Sequence, residues 1–177
     1  MSYLYDAYIH SFSLDEIRDA EFFSHVRDIY FTKEVQGMAI YPQHGTINRL
    51  QHITSVTYVA FVMAKRKNAD IHQTLRGAVL HDLFYYDWHM ADDGSHRLHG
   101  YRHPGFAAVN AKALCPTLTE KERYIILRHM WPLTLLPPNS KEGLIVSAAD
   151  KYCATQEVFM SRSSAYRKKI ENDIAAS

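Results

Sequence analysis

Little in this chain marks it for several large protein classes. It has two cysteines, Cys115 and Cys153, in 177 residues. They show no CxxC spacing, so a disulfide framework is excluded and both read as buried thiols of a reducing compartment. No apolar run reaches the roughly 18 residues of a membrane-spanning helix. The opening MSYLYDAYIH lacks the basic start and apolar stretch of a signal or transit peptide, and a cytoplasmic location away from membranes is expected. Neither charge dominates: 20 Lys and Arg stand against 19 Asp and Glu, a net charge of +1. Without a field of one sign, a nucleic-acid polymer or an anionic membrane surface is not the expected partner, and any phosphate binding must be local. There is no strand-like alternation, no low-complexity segment and no internal repeat.

What is present reads as helix. The chain is 47% hydrophobic, enough for one good core, so residues 1–177 are expected to form one compact domain. Ser13 and Glu16 have the spacing of a capping box, with Phe12 and Ile17 as its hydrophobic staple, which predicts a first helix from about residue 14 to Gly37. A second helix is expected from Thr46 to Lys67, where Ile47, Leu50, Ile53, Val56, Val59 and Met63 form an apolar stripe. Lys65, Arg66 and Lys67 would close it against the helix dipole. A third, from about Asp70, delivers His81-Asp82 and is open to continuation into FYYDWHM. Residues 90 to 102 read as a surface loop, and a fourth helix is expected at His103 with Pro104 in its first turn. Thr119 and Glu122 box the next, which stops before Pro132. Ser140 caps a last core helix, and the tail from about 161 to 177 reads as a polar helix. The expected fold class is all-α.

The eleven histidines are many for this length. His81 and Asp82 stand together in LRGAVLHD, with His52 29 residues before the pair and Asp150 68 residues after Asp82. A His and an Asp on one turn can aim an imidazole nitrogen and a carboxylate oxygen at one cation. Imidazole suits Zn²⁺, Fe and Ni while carboxylate suits Mg²⁺ and Mn²⁺, so the mixed set points to a hydrolytic or redox centre rather than a structural zinc. His103, opening HPGFAAVNAKAL, and His129, in IILRHMWPL, complete the order His52, His81-Asp82, His103, His129, Asp150.

These residues resemble the HD superfamily from about Thr46 to Val158, in particular its two-metal branch. The resemblance implies a single HD-type helical bundle of about six to seven helices, with residues 46–158 as its core, 1–40 as an N-terminal helical extension and 161–177 as a tail helix. It implies that His52, His81 and Asp150 hold one metal, His103 and His129 the other, and Asp82 both. The implied activity is that of a metal-dependent phosphohydrolase, a phosphomonoesterase or phosphodiesterase. It would use one or two divalent ions (Fe, Mn, Ni, Zn or Mg) and a metal-activated water on a small phosphate ester or nucleotide. Two alternatives stay open: a di-iron oxygenase built on the same six ligands, and a metal-containing binding module without turnover.

Each candidate has a plainer reading. Asp150, among small and apolar neighbours, needs compensation that a salt bridge to Arg49 could give instead of a metal. His52 could be a hydrogen-bonded core residue, and His129 a cap at its helix C-terminus. His99 competes with His103, which is preferred for its place before Pro104. Arg49, one turn before His52, is open to two roles: clamping a substrate phosphate or orienting a ligand carboxylate. The run LFYYDWH departs from the glycine-lysine continuation common in HD phosphohydrolases, leaving Asp87 and His89 as candidate proton donors. Arg97, Arg102 and Lys151 are candidates to offset phosphate charge, and Tyr85, Tyr86, Trp88 and Tyr101 to stack on a ring. His10, His25, His44 and His72 read as surface residues.

Overall fold

The fold is a computed structural model that describes residues 3–90, 94 and 97–177. It is all-α apart from one short hairpin. The described residues form α1 (Tyr3–His10), α2 (Ala20–Tyr30), α3 (Lys33–Gln36), a 3₁₀ turn (Gly37–Ile40), hairpin strands β1 (Pro42–His44) and β2 (Ile47–Asn48), α4 (Arg49–Lys67), α5 (Ile71–Leu80), α6 (His99–Leu114), α7 (Glu120–Arg128), α8 (Lys141–Arg162) and α9 (Ser164–Ala175). Nine helices among the described residues exceed the six to seven expected. No helix among them is long and apolar enough to cross a membrane.

The excess lies mainly at the N-terminus, where the expected helix from 14 to 37 is broken. Ser13 caps nothing there. Instead the Asp15 carboxylate accepts the backbone N–H groups of Ile17 and Arg18, and Asp19 accepts that of Asp15. These local bonds satisfy the backbone in a turn and delay the helix to Ala20. Ile17, the expected staple, is 89% exposed. Later caps follow the sequence closely. Asn48, Asp70 and Ser140 accept from Gln51, Gln73 and Gly143, and Thr119 and Glu122 form a reciprocal capping box. Lys65–Lys67 close α4, with Asn68 left-handed after them.

Helix α4 is the axis, packed against α5, α8 and α1. Its Ile53 and Phe61 join Phe22, Val26, Leu75, Val79 and Ala107 in one apolar cluster, while Val56, Val59 and Ala60 join Tyr8, Ile145, Ala149 and Ile170 in another. The tail helix α9 docks through Ile170 against α8 and α1. Arg76 of α5 pairs with Asp28 at 2.7 Å and Glu122 at 3.1 Å, tying α5 to α2 and α7.

Three boundaries bear on the candidate site. Helix α5 stops at Leu80 with His81 as its C-cap, so the HD pair sits at a helix end and the helix does not continue into FYYDWHM. Helix α6 starts at His99, one turn before His103, and holds Pro104 in its interior. Of the expected loop at 90–102, residues 91–93, 95 and 96 lie outside the described residues.

Two glycines give a test of the packing. A Cβ at Gly77 would sit 2.7 Å from Ile125 Cγ2, whereas one at Gly105 meets nothing within 4 Å. Gly77→Ala should destabilise the protein by about 1–3 kcal/mol through overpacking between α5 and α7. Gly105→Ala should stabilise it by up to about 1 kcal/mol through helix propensity. Chemical denaturation of both variants checks the opposite signs.

Candidate metal centre

Five helices and the hairpin converge on one buried cluster. Helix α4 supplies His52, the end of α5 supplies His81 and Asp82, α6 supplies His103, the end of α7 supplies His129, and α8 supplies Asp150; all six are buried. Asp82 is at the centre. Its Oδ2 lies 3.8 Å from His52 Nε2 and 3.6 Å from His81 Nε2, and its Oδ1 lies 3.2 Å from His103 Nε2 and 3.6 Å from His129 Nε2. Asp150 Oδ1 lies 3.3 Å from His52 Nε2 and 3.9 Å from His81 Nε2. The donor atoms of His52, His81 and Asp150 are within 4.8 Å of one another, as are those of His81, Asp82 and His129.

The hydrogen bonds on the far side of each ring fix what the near side offers. His81 Nδ1 is 2.7 Å from Ala78 O, His103 Nδ1 is 2.9 Å from His99 O, and His129 Nδ1 is 2.7 Å from Ile126 O. A carbonyl oxygen only accepts, so each Nδ1 carries the proton and, in the neutral ring, each Nε2 presents a lone pair. His52 Nδ1 is held by both oxygens of the buried Glu157, at 2.9 and 3.0 Å. The Nε2 lone pairs of His81, His103 and His129 therefore face His52 Nε2 and the carboxylates of Asp82 and Asp150. His103 Nε2 and His129 Nε2 are only 2.9 Å apart, lone pair against lone pair. Among the described residues, His52 Nε2, His81 Nε2 and Asp82 Oδ1 are buried without a hydrogen-bond partner. Such a set can hold a metal ion.

The electrostatics agree. Burial opposes charge on Asp82 and Asp150, but the surrounding imidazoles outweigh it and hold both carboxyls below the usual range, Asp82 well below. Burial, with His81 and His103 beside it, lowers His129 to about 3, so this ring is neutral at neutral pH. For His52 burial again opposes charge, yet Glu157 and Asp150 outweigh it and raise the ring well above the ordinary imidazole value.

Other candidates separate clearly. His99 lies outside the cluster: it stacks on His103 with ring centroids 4.5 Å apart, and its Nδ1 meets the Tyr86 hydroxyl. Arg49 makes no salt bridge to Asp150 and does not line the cavity. It is fully buried, donating to Phe84 O, Tyr86 O and Gln43 Oε1, while Gln43 Nε2 donates to Asp82 Oδ2 at 2.8 Å. Of the two roles left open for Arg49, this geometry matches the orienting of a ligand carboxylate, reached through Gln43. Asp87 accepts from the backbone and ring of His89 and, like His89, is not part of the cavity wall. Arg102 is exposed against Phe106. His44, expected at the surface, lies 5.6 Å ring to ring from His52 and lines the cavity.

Gln43 and Glu157 were not singled out in the sequence. Glu157 did leave a signal: it follows Asp150 by seven residues, two turns along the same helix face. The cavity over the cluster is about 590 Å³, and Lys151 stands on its wall, bonded to His129 O at 2.8 Å.

The raised His52 sets a proton-linked prediction. Glu157 and Asp150 make His52 hold a proton more readily in the metal-free protein than an ordinary imidazole does, and a cation must displace that proton. Binding should release a proton and tighten as pH rises above the ordinary imidazole value. Calorimetry in buffers of different protonation enthalpy measures this, and a binding heat independent of buffer would contradict it. Glu157→Gln should shrink the release and weaken affinity about 10–100-fold, the usual loss when a ligand histidine loses its outer partner.

The chain matches no protein-family model, no curated protein and no solved structure.

Proposed function

We propose that this protein is a metal-dependent phosphohydrolase of the HD type, releasing phosphate or a nucleotide from a small phosphate ester. One observation carries the reading: Asp82 turns one oxygen to His52 and His81 and the other to His103 and His129. That division suits a carboxylate shared by two cations, with His52, His81 and Asp150 on one side and His103 and His129 on the other. Bound there, two cations would supply a water of lowered pKa and charge to match phosphoryl oxygens.

The chain's own residues do the rest. Glu157 and the carbonyls of Ala78, His99 and Ile126 hold the rings in the tautomer that binds metal. Arg49 and Gln43 keep Asp82 oriented. Lys151, with its ammonium against Asp150 at 3.7 Å, offers the wall a cation to offset phosphate charge. Burial pushes the Lys151 amine down from its usual value, and Asp150 works against that push.

Three results test the reading. Purified protein should bind two divalent ions and release phosphate from a screened ester without consuming oxygen. Asp82→Ala should lose metal and activity together, because it removes a ligand from both sides and leaves cation repulsion uncompensated. Lys151→Gln should keep its metals and lose about 10–100-fold in kcat/KM, the worth of one charged hydrogen bond. Full metal loading in Asp82→Ala would sink the shared-carboxylate arrangement, and oxygen uptake matching product would move the protein to the di-iron oxygenase class.

A further inference from the structure

The cavity has a polar floor and apolar walls. Above the cluster it is lined by Gly100, Met130, Pro132, Leu133 and Ala154, and by the indole of Trp88. Lys151 is the one lysine or arginine among its described lining residues. Trp88 is not an open platform for a planar base, since His89 stacks on it at 3.8 Å and His99 at 5.2 Å with an interplanar angle of 6°. Gln43, His44 and His99 also line the cavity, and the side formed by Met130, Pro132, Leu133 and Ala154 is aliphatic. A Cβ at Gly100 would lie 2.8 Å from Leu133 Cδ2, so the start of α6 and the segment after α7 meet at this wall. Leu133 is 45% exposed, and Leu135 and Leu136, just beyond it in the chain, are 94% and 63% exposed. Apolar surface thus continues outward from the cavity.

A sugar or polyol against the Met130, Pro132 and Leu133 side would give up water for side chains that return no hydrogen bond, whereas an alkyl chain loses nothing by leaving water. We propose that the substrate is a phosphate monoester of an aliphatic alcohol, its phosphate at the His/Asp floor beside Lys151 and its chain along Met130, Pro132 and Leu133. The inference rests on the hydrolytic reading for the fate of the ester. In that step the oxygen of water joins phosphorus, the bond from phosphorus to the alcohol oxygen breaks, and a proton from water ends on the alcohol.

Binding and turnover are tested separately. Methyl-, butyl- and hexylphosphonate, which cannot be hydrolysed, are titrated into the Mn²⁺-loaded full chain. Affinity should rise about three- to fourfold per methylene. Leu133→Asp should flatten that rise, read as the ratio of hexyl- to methylphosphonate affinity within the variant, with metal content unchanged. Ala154→Met, which fills the wall, should shorten the chain length at which affinity stops rising. A flat series in the parent protein, or a series that Leu133→Asp does not alter, overturns the proposal. Phosphate release from hexyl phosphate is then measured. A rising phosphonate series with no phosphate release sinks the hydrolytic reading alone and leaves the apolar wall supported.

Discussion

Everything near the centre of this molecule depends on holding four imidazoles and two carboxylates together out of water. Left to itself such a group is repulsive, and an uncompensated buried carboxylate costs several kcal/mol. The fold meets the difficulty with one local device used three times. His81 and His129 each cap a helix C-terminus and donate Nδ1–H back to the carbonyl three residues earlier, and His103 does the same to the carbonyl four residues earlier. Each bond fixes the proton on Nδ1 and, in doing so, aims the ring's Nε2 at the cluster. For His81 and His129 the acceptor lies in the last turn of a helix, and for His103 it is His99, the first residue of α6. Ring orientation follows from the helix's own carbonyls rather than from a dedicated scaffold.

Arg49 solves a different part of the same problem. It is a fully buried cation whose guanidinium lies 3.5 Å from the ring centre of Phe84 and 4.8 Å from that of Tyr41. Burial brings it down to about 10, with Asp82 acting against the fall, so it remains charged at neutral pH. Through Gln43 it steadies Asp82, and through Phe84 O and Tyr86 O it fixes the chain that leaves the HD pair. Arg49 is held in the core and does not line the cavity, whereas Lys151 does, so Lys151 is the charge on the wall.

How far the sequence could be read follows from the range of the forces involved. Caps such as Thr119-Glu122 and Ser140 were legible because they act over three residues, and the all-α class because apolar spacing repeats along whole helices. The five residues that gather around Asp82, and Asp82 itself, were legible from their chemistry and order. The start of α2 was not, because the Asp15 and Asp19 carboxylates offer the backbone of the same turn an alternative to the Ser13-Glu16 box, and the sequence carries no sign of which wins. The roles of Arg49, Gln43 and His44 were hidden for another reason. Whether an arginine one turn before His52 points into a cavity or into the core depends on Phe84 and Tyr86, some 35 residues away in the chain, and on a hairpin with no strand-like pattern.

The contrast between two cavities of equal size shows where unmet chemistry lies. The cleft between α2, α5 and α7 also measures about 590 Å³ and holds the buried Arg76, but that arginine is matched to Asp28, Glu122 and Cys115. Its charges are satisfied within the chain, and the cleft is accounted for as structure. Around the cavity over Asp82 the balance is reversed. Of the five buried side-chain polar atoms without partners among the described residues, three belong to the cluster and a fourth, Trp88 Nε1, to a residue of the same wall. Buried polar atoms are paired almost everywhere in folded proteins. Their concentration at one cavity marks it as the place where the chain leaves polar groups unmatched, and the nitrogen and carboxylate oxygen atoms gathered at its floor are of the kind that could hold a metal ion.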